Sequence, residues 1–156
     1  MKKNFLIKEF PIKINSNGDW FYNNSLIKKK TLIKLFSSVL VGDNKGNFYL
    51  ETPAEKGKII VEDAPFVIKD FIIKGSSNNR SIIFVTNIDE EIVLSKKNPL
   101  FYKLKNKSYI PYIILRKNIN AKITRSVYYQ LVNKFIKQSK KKELTIISKD
   151  FEIKLK

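Results

Sequence analysis

The chain of 156 residues contains no cysteine and no histidine. The absence of cysteine excludes disulfides, thiol nucleophiles and thiolate metal sites. The absence of histidine excludes Ser-His-Asp and Cys-His catalysis, imidazole metal ligands and the usual general base near neutral pH. Any enzymatic hypothesis must therefore rest on carboxylates, lysine, tyrosine or a metal with oxygen ligands. We assign no catalytic residue and expect no cofactor.

Glycine and proline are scarce, at five each, while hydrophobic residues make up 43% of the chain. This composition is typical of a folded protein, with room for one domain or two small ones. The glycines are isolated, and no Walker, Rossmann or zinc pattern is present. No apolar run approaches the length that spans a bilayer, and the N-terminal residues lack signal-peptide features. We therefore predict a cytoplasmic protein without a membrane partner.

Acidic residues are the other scarce class, because 14 Asp or Glu face 31 Lys or Arg and give a net charge of +17. Such an excess is typical of proteins that bind nucleic acid or other anions. Only three of the basic residues are arginine, namely Arg80, Arg116 and Arg125. Lys, Ile and Asn share A/T-rich codons, so genome composition alone would produce the same charge. We favour this compositional interpretation and keep nucleic-acid binding as the alternative.

Hydrophobic periodicity predicts a mostly β protein with two helices. Apolar positions recur at helical spacing over residues 29–41, with Gly42 as a stop, and over residues 124–137, with Thr124 as N-cap. A hairpin is predicted from alternation over 10–15, turn residues at 16–19 and a strand that starts at Trp20. Further strands are predicted at 46–52, 58–62, 66–74, 81–86, 91–94, 100–104, 109–115, 143–147 and 151–155.

Strands joined by short polar turns favour antiparallel pairing over βαβ units. We predict an α+β fold, predominantly antiparallel, in two parts. Residues 1–61 form a small N-terminal α+β part with the first helix. Residues 62–156 form a C-terminal β-roll or barrel that carries the second helix.

Three of the scarce carboxylates lie close together in the segment TPAEKGKIIVEDAPF, which runs from Thr52 to Phe66 and is interpreted as strand-like. Glu55, Glu62 and Asp63 are candidates for a Mg²⁺ or Ca²⁺ site or for the general base of a hydrolase. Adjacent strand residues point to opposite faces, so Glu62 and Asp63 cannot form a simple dyad, whereas Glu55 could join one of them across a bend. The structural alternative, which we favour, is that these carboxylates cap turns or pair with arginine.

Arg116 and Arg125 flank one segment in a chain that otherwise uses lysine. The planar guanidinium binds carboxylate or phosphate through two parallel hydrogen bonds, which lysine cannot do. One hypothesis is an anion site that includes the N-terminus of the second helix. The other, which we favour, is a buried bridge from either arginine to Glu62 or Asp63. Arg80 follows two asparagines in a turn and is predicted to be solvated.

Two polar residues, Thr86 and Asn87, end a predicted strand. They are interpreted as turn residues, with a ligand-binding amide as the alternative. Several aromatic residues are candidates for stacking on bases, although a core role is favoured for Trp20 and Tyr128. These aromatic candidates are Trp20, Tyr22, Tyr109, Tyr112, Tyr128 and Tyr129.

Several blocks of the chain resemble the domain-of-unknown-function family 1285, a group of small bacterial proteins. The blocks are DWFY (19–22), LIKLFSSVL (32–40), TPAEK (52–56), VEDAPF (61–66), FVTN (84–87), PYIILR (111–116) and ITRSVYYQLV (123–132). They occur in the expected order over residues 10 to 155. The resemblance implies a two-part, mostly β structure and no assigned activity. The chain departs from the family in using lysine for arginine and in having Ser148-Lys149-Asp150 where a glycine-rich turn is expected.

Together these features favour a non-enzymatic binding or regulatory module. Its ligand surface is expected at the junction of the two parts, formed by the acidic residues, Arg116, Arg125, Thr86 and Asn87. The partner class is a protein or a small anion. A nucleic-acid binder with a Lys-rich, Tyr-bearing surface and a carboxylate- or metal-dependent hydrolase are the alternatives.

Overall fold

The computed structural model describes residues 6–76, 79–136 and 144–156 and divides the chain into two compact units. Unit 1 comprises Met1–Pro65 with Lys117–Ile119, and unit 2 comprises Phe66–Arg116 with Asn120–Lys156. The elements up to residue 65 are β1 (Ile7–Ile14), β2 (Trp20–Tyr22), β3 (Ser25–Leu26), α1 (Lys30–Ser38), β4 (Leu40–Gly42), β5 (Phe48–Glu51) and β6 (Lys56–Val61). Those after it are β7 (Phe66–Lys74), β8 (Ser81–Thr86), β9 (Glu91–Val93), β10 (Leu100–Lys105), β11 (Ser108–Arg116), β12 (Ile119–Ile123), α2 (Arg125–Ile136), β13 (Thr145–Ser148) and β14 (Phe151–Lys154).

Each unit is built on one six-stranded sheet, and the two sheets share a topology. The first has the order β3-β2-β1-β6-β5-β4, and the second has the order β10-β11-β12-β7-β8-β9. In each sheet, the strand that comes first along the chain pairs in parallel with the strand that comes last, and this pair lies at the centre. The pairs are β1 with β6 and β7 with β12. The flanking strands whose pairing is described are antiparallel. The predicted α+β, predominantly antiparallel fold class is confirmed, while the central parallel pairs were not anticipated.

The core of unit 1 forms around the hairpin that the sequence predicts. Ile14 pairs with Trp20 across β1 and β2, and both side chains are fully buried. The ring of Trp20 stacks on Phe36 of α1 with centroids 6.0 Å apart, which confirms the anchoring role predicted for this tryptophan. The indole nitrogen of Trp20 has no hydrogen-bond partner among the described residues.

In unit 2, helix α2 packs through one apolar stripe whose buried members are Val127, Tyr128, Leu131 and Phe135. Thr124 caps this helix as predicted, since the Val127 N–H donates to its hydroxyl at 3.3 Å. The helical spacing over 124–137 also includes Val132 and Ile136 among its apolar positions, but Val132 is half-buried and Ile136 is exposed. Three parts of the prediction lie outside the described residues. They are Lys137 at the end of the predicted helix, the lysines at 140–142, and Glu143 at the start of the predicted strand 143–147.

The first helix is shorter than the predicted 29–41. α1 ends at Ser38, where the hydroxyls of Ser37 and Ser38 donate to main-chain oxygens one turn back, at 2.8 and 2.6 Å. Leu40–Gly42 instead form β4, which pairs with β5. Strand pairing in the folded unit therefore overrides the helical periodicity of the apolar residues. Gly42 is not a helix stop; a Cβ there would lie 2.7 Å from the main-chain oxygen of Asn118.

Besides β4, the described strands include two further elements that the sequence-based assignment missed. The short strand β3 returns from a turn in which Asn23 and Asn24 both have positive φ. Strand β12 alternates buried Ile119, Ala121 and Ile123 with half-buried residues. Its signal is the period-two pattern, but a run of five residues between the turn at 117–118 and helix α2 is easily assigned as loop.

Ser148 is a buried polar residue that connects the last hairpin to the rest of unit 2. Its hydroxyl donates to the main-chain oxygen of Leu94 at 2.7 Å and accepts the Ile82 N–H at 2.8 Å. The next residue, Lys149, takes the left-handed conformation, with φ of 51°, that a glycine would adopt more readily. The carboxylate of Asp150 accepts the Lys96 N–H at 3.0 Å, and this hydrogen bond is the main cause that lowers the pKa of that carboxyl. The unusual Ser-Lys-Asp turn thus has a structural role.

We predict that Ser148→Ala lowers the free energy of unfolding by about 1–3 kcal/mol, because it leaves a buried N–H and a buried carbonyl without a partner. Urea unfolding followed by circular dichroism measures the loss. The control is Ser126→Ala, at an exposed position of α2, for which no comparable loss is expected. Equal midpoints for Ser148→Ala and the unmodified protein would contradict this role.

The carboxylate of Asp43 organises the turn between β4 and β5. It accepts the N–H groups of Asn47 and Lys45 at 2.8 and 2.9 Å and the hydroxyl of Tyr49 at 3.2 Å. Hydrogen bonds from Asn47 are the main cause that lowers the pKa of Asp43 from 3.8 to about 2.

Because its folded-state pKa is depressed, Asp43 contributes stability above about pH 4 and loses this contribution as the pH falls towards 2. We expect Asp43→Asn to be less stable than the unmodified protein at pH 7, with the difference shrinking between about pH 4 and pH 2. Thermal unfolding followed by the fluorescence of Trp20 reports this unit. A difference that stays constant down to pH 2 would show that the charge of Asp43 is unimportant.

Candidate functional site

Glu55 ends a tight turn between β5 and β6. The Thr52 hydroxyl accepts the N–H groups of Ala54 and Glu55 at 3.2 and 3.1 Å, and the Thr52 N–H donates to the Glu55 main-chain oxygen at 2.8 Å. The Glu55 carboxylate accepts a hydrogen bond from the Lys8 ammonium at 2.9 Å, and its side chain is 45% exposed. The turn therefore holds a carboxylate at the surface of unit 1.

Beside this turn, unit 1 contains a pocket of about 260 Å³. Three aromatic rings line it, those of Phe10, Tyr22 and Phe36, together with aliphatic side chains. The polar residues that line it are Thr52, Glu55 and, through its hydroxyl, Tyr22. A concave apolar surface with few polar groups is the usual form of a small-molecule site.

An irregularity in β1 shapes one wall of this pocket. The register with β6 passes from Glu9 opposite Lys58 to Lys13 opposite Ile60, so β1 carries two extra residues. The residues in the irregularity are Phe10, Pro11 and Ile12, and all three line the pocket. Proline suits a break in the ladder because it has no N–H to leave unpaired. Bulges commonly redirect side chains beside functional sites.

The ring of Phe10 depends on a glycine in the neighbouring strand. A Cβ at Gly57 would lie 2.2 Å from this ring, so the ring rests on the bare main chain of β6. The TPAEKG segment therefore supplies both the carboxylate of the pocket and the space for one of its rings. The sequence singled out Glu55, but the aromatic wall comes from strands and a helix that only folding brings together.

The acidic residues of the segment do not form one cluster. Glu55 precedes β6 and Glu62 follows it, which separates them by about 20 Å along the strand. Glu62 and Asp63 lie in the bend after β6 rather than on a strand, which corrects the strand-like interpretation. Glu62 pairs with Lys13 at 2.8 Å and accepts the Ser16 N–H at 2.9 Å. The Lys13 hydrogen bond is the main cause that lowers the pKa of Glu62.

The two arginines of the predicted anion pair lie at opposite ends of β12. Arg116 ends β11 and Arg125 begins α2, so about 13 Å of β12 lies between them, and both side chains are exposed. This separation of the main chain does not favour one small-anion site shared by both arginines. The first turn of α2 contains no acidic residue to offset Arg125. Arg80, predicted to be solvated, instead lies half-buried with its guanidinium 4.8 Å from the ring centroid of Phe135.

Thr86 and Asn87 hold the end of the β7–β8 pair. Thr86 is fully buried, and its hydroxyl accepts the Glu90 N–H at 3.1 Å. The side-chain oxygen of Asn87 accepts the Val67 N–H at 3.2 Å, and the Asn87 N–H donates to the Val67 oxygen at 2.9 Å. These contacts are those of turn residues. Across the described ranges, no group of three or more acidic residues could hold a metal ion.

Charges are segregated along the chain over residues 92–142, which belong to unit 2 except for Lys117–Ile119. From Ile92 to Lys142 there is no Asp or Glu, but there are 14 of the 31 basic residues, which leaves 17 basic residues against all 14 acidic residues elsewhere. They are Lys96, Lys97, Lys103, Lys105, Lys107, Arg116, Lys117, Lys122, Arg125, Lys134, Lys137, Lys140, Lys141 and Lys142.

Sheet order turns this segregation into a surface property. Strands β10, β11 and β12 are neighbours at one side of the sheet, and neither they nor α2 carry an acidic residue. We call these four elements the basic half of unit 2. Asp70 and Glu91 lie on β7 and β9 at the other side, with Asp89 and Glu90 in the turn before β9. The field of this unit is therefore polarised across its sheet.

The β10–β11 hairpin is the most exposed part of the basic half. Residues 103–109 are all exposed and include Lys103, Lys105, Lys107 and Tyr109. The ammonium of Lys156 lies 4.1 Å from the ring centroid of Tyr109. Behind it, the hydroxyls of Tyr102 and Tyr128 are 2.7 Å apart, and burial with this contact raises the pKa of Tyr128.

The aromatic stacking candidates divide by exposure. Tyr22, Tyr109 and Tyr129 are 51%, 52% and 59% exposed, which leaves their rings accessible. Trp20, Tyr112 and Tyr128 are buried and belong to the cores of their units. Of the helices in the described ranges, none is long and apolar enough to cross a membrane.

Comparison with known proteins identifies relatives of the whole chain. Residues 5–64 match the model for the "Domain of unknown function (DUF1285), N-terminal domain", and residues 65–153 match the "Protein of unknown function (DUF1285), C-terminal domain". No curated protein matches.

Two crystal structures are similar in sequence and in fold. A DUF1285 family protein from Silicibacter pomeroyi DSS-3 is 31% identical with a TM-score of 0.76, covering 83% of this chain and 72% of that one. Another, from Shewanella baltica OS155, is 30% identical with a TM-score of 0.64, covering 80% and 92%. Two consecutive family models and these structures agree on one assignment, so the chain belongs to the DUF1285 family, whose function is unknown.

Proposed function

We propose that this protein is a binding module whose unit 2 binds single-stranded nucleic acid through its basic half. The observation that supports the proposal is the segregation of charge: β10, β11, β12 and α2 expose cations without a single acidic neighbour on those elements. Attraction to phosphates supplies most of the affinity of such surfaces. The same segregation argues against composition alone. Codon bias would raise lysine along the whole chain, but it gives no reason for acidic residues to be absent from one continuous third of it.

The exposed hairpin favours a single strand over a duplex. Lys103, Lys105 and Lys107 would contact phosphates, and Tyr109 offers a ring on which a base can stack. Proteins that bind single strands combine a cationic track with exposed aromatic rings in this way. Arg116 and Arg125 would act as separate phosphate contacts, since β12 lies between them. A hydrolase has less support, because Glu55 and Glu62 stand at opposite ends of β6.

We expect the protein to bind a fluorescent single-stranded oligonucleotide with an affinity that falls steeply with salt. Replacing Lys103, Lys105 and Lys107 by glutamine should remove about three phosphate contacts. The negative slope of log K against log salt should then become less steep by about 2. Fluorescence anisotropy over a salt series measures both quantities. Tyr109→Ala should weaken binding with no change in that slope, because it removes stacking but no charge.

The matched control replaces Lys28, Lys34 and Lys45 of unit 1 by glutamine. These lysines are exposed, and their replacement removes the same net charge. This control should keep the affinity and slope of the unmodified protein. If both triple variants lose affinity equally, the interaction reports total charge, and the proposed surface is wrong.

A further inference from the structure

We propose that the pocket of unit 1 binds a small organic cation, an alkylated ammonium, between its aromatic rings and Glu55. This inference rests on unit 1 alone and does not depend on the nucleic-acid surface proposed above.

The aromatic wall provides the first argument. The pocket gathers Phe10, Tyr22 and Phe36 from two strands and a helix. Tyr22 is half-exposed, and the other two rings are only partly buried, so their surfaces are not used up by the core. The faces of aromatic rings attract cations, and several rings around one space are how proteins recognise alkylated ammonium groups.

Charge provides the second argument. Glu55 is the charged residue of the pocket lining, and no lysine or arginine lines it. A carboxylate beside aromatic rings attracts a cation and repels an anion, and a neutral apolar molecule would gain nothing from it. This pocket therefore selects for positive charge, in a protein whose overall excess of lysine would favour anions elsewhere.

An alkylammonium group of the protein already contacts this carboxylate. The Lys8 ammonium lies 2.9 Å from Glu55, and the two side chains are 55% and 45% exposed. An exposed ion pair of this kind contributes little free energy, so a ligand can displace the lysine at small cost. The Lys8 ammonium therefore occupies the position expected for the ammonium of the ligand, and the two should compete for Glu55.

The construction of the pocket provides the third argument. Proline in β1 and glycine in β6 each weaken a sheet, because proline lacks an N–H and glycine lacks a side chain to pack. Both lie where they shape the pocket, Pro11 in the irregularity of β1 and Gly57 under the Phe10 ring. The stack of Phe36 on buried Trp20 fixes a second ring. A volume of about 260 Å³ suits a small ligand rather than a drug-sized one.

The test uses choline and its neutral isostere, 3,3-dimethylbutan-1-ol, in which carbon replaces the quaternary nitrogen. Each is titrated into the full, isotopically labelled chain and followed by amide chemical shifts. We expect choline to shift residues around Phe10, Tyr22 and Phe36 and to bind at least about tenfold more tightly than the alcohol. Equal binding of choline and the neutral alcohol would overturn the proposal.

Three variants locate the interaction. Glu55→Gln and Tyr22→Leu should each weaken choline binding by about tenfold, while Lys8→Met should strengthen it by removing the competing ammonium. The matched control is Glu51→Gln, because Glu51 is also a partly exposed glutamate paired with a lysine, Lys56 at 3.7 Å. Equal losses for Glu51→Gln and Glu55→Gln would overturn the proposed site.

The ammonium can be carried by a free molecule or by a methylated lysine side chain. A trimethyllysine peptide titrated in parallel distinguishes these sources. Tighter binding of choline supports a free cation, tighter binding of the peptide supports a protein-borne ammonium, and binding of neither overturns the proposal.

Discussion

The parallel pairing of the first and last strands organises each unit of this protein. In unit 1 this pair is β1 with β6, and in unit 2 it is β7 with β12. A parallel pair needs a long connection, because the chain must return to the same end of the sheet before the second strand begins. In unit 1 that connection contains β2, β3, α1, β4 and β5, whereas in unit 2 it contains β8 to β11. Both sheets therefore grow outward by antiparallel strands from a parallel centre.

The candidate pocket is a consequence of this pairing. The irregularity of β1 lies opposite β6, where four residue steps on one strand match two on the other. The residues of the irregularity, Phe10, Pro11 and Ile12, line the pocket together with Phe36 of α1. Phe10 and Phe36, which are far apart in sequence, thus line the same space. The carboxylate comes from the turn that precedes β6, while Tyr22 comes from β2 and Leu50 from β5.

The charge pattern differs from the pocket, because the acid-free segment can be seen in the sequence. Whether it forms one surface depends on the order of the strands in the sheet. An acid-free segment would be spread over a sheet if its strands alternated with acidic ones. Strands β10, β11 and β12 are instead neighbours, and the acidic residues Asp70 and Glu91 lie on strands of the other side. Consecutive strands that pair with one another keep sequence neighbours together in space, so segregation along the chain becomes segregation across the surface.

The sequence by itself determined the fold class, the family, the first hairpin and helix α2 with its Thr124 cap, and it marked Glu55 as a candidate. Those features depend on local periodicity, turn chemistry and scarcity, which neighbouring residues express without the rest of the fold. Only the tertiary structure decided that Leu40–Gly42 form a strand, that Glu62 pairs with Lys13, that β12 lies between Arg116 and Arg125, and that Arg80 packs on Phe135. Each of these depends on contacts between residues distant in sequence, where pairing free energy outweighs local preference. The aromatic pocket belongs to this second group, because no local pattern records which rings a strand irregularity will bring together.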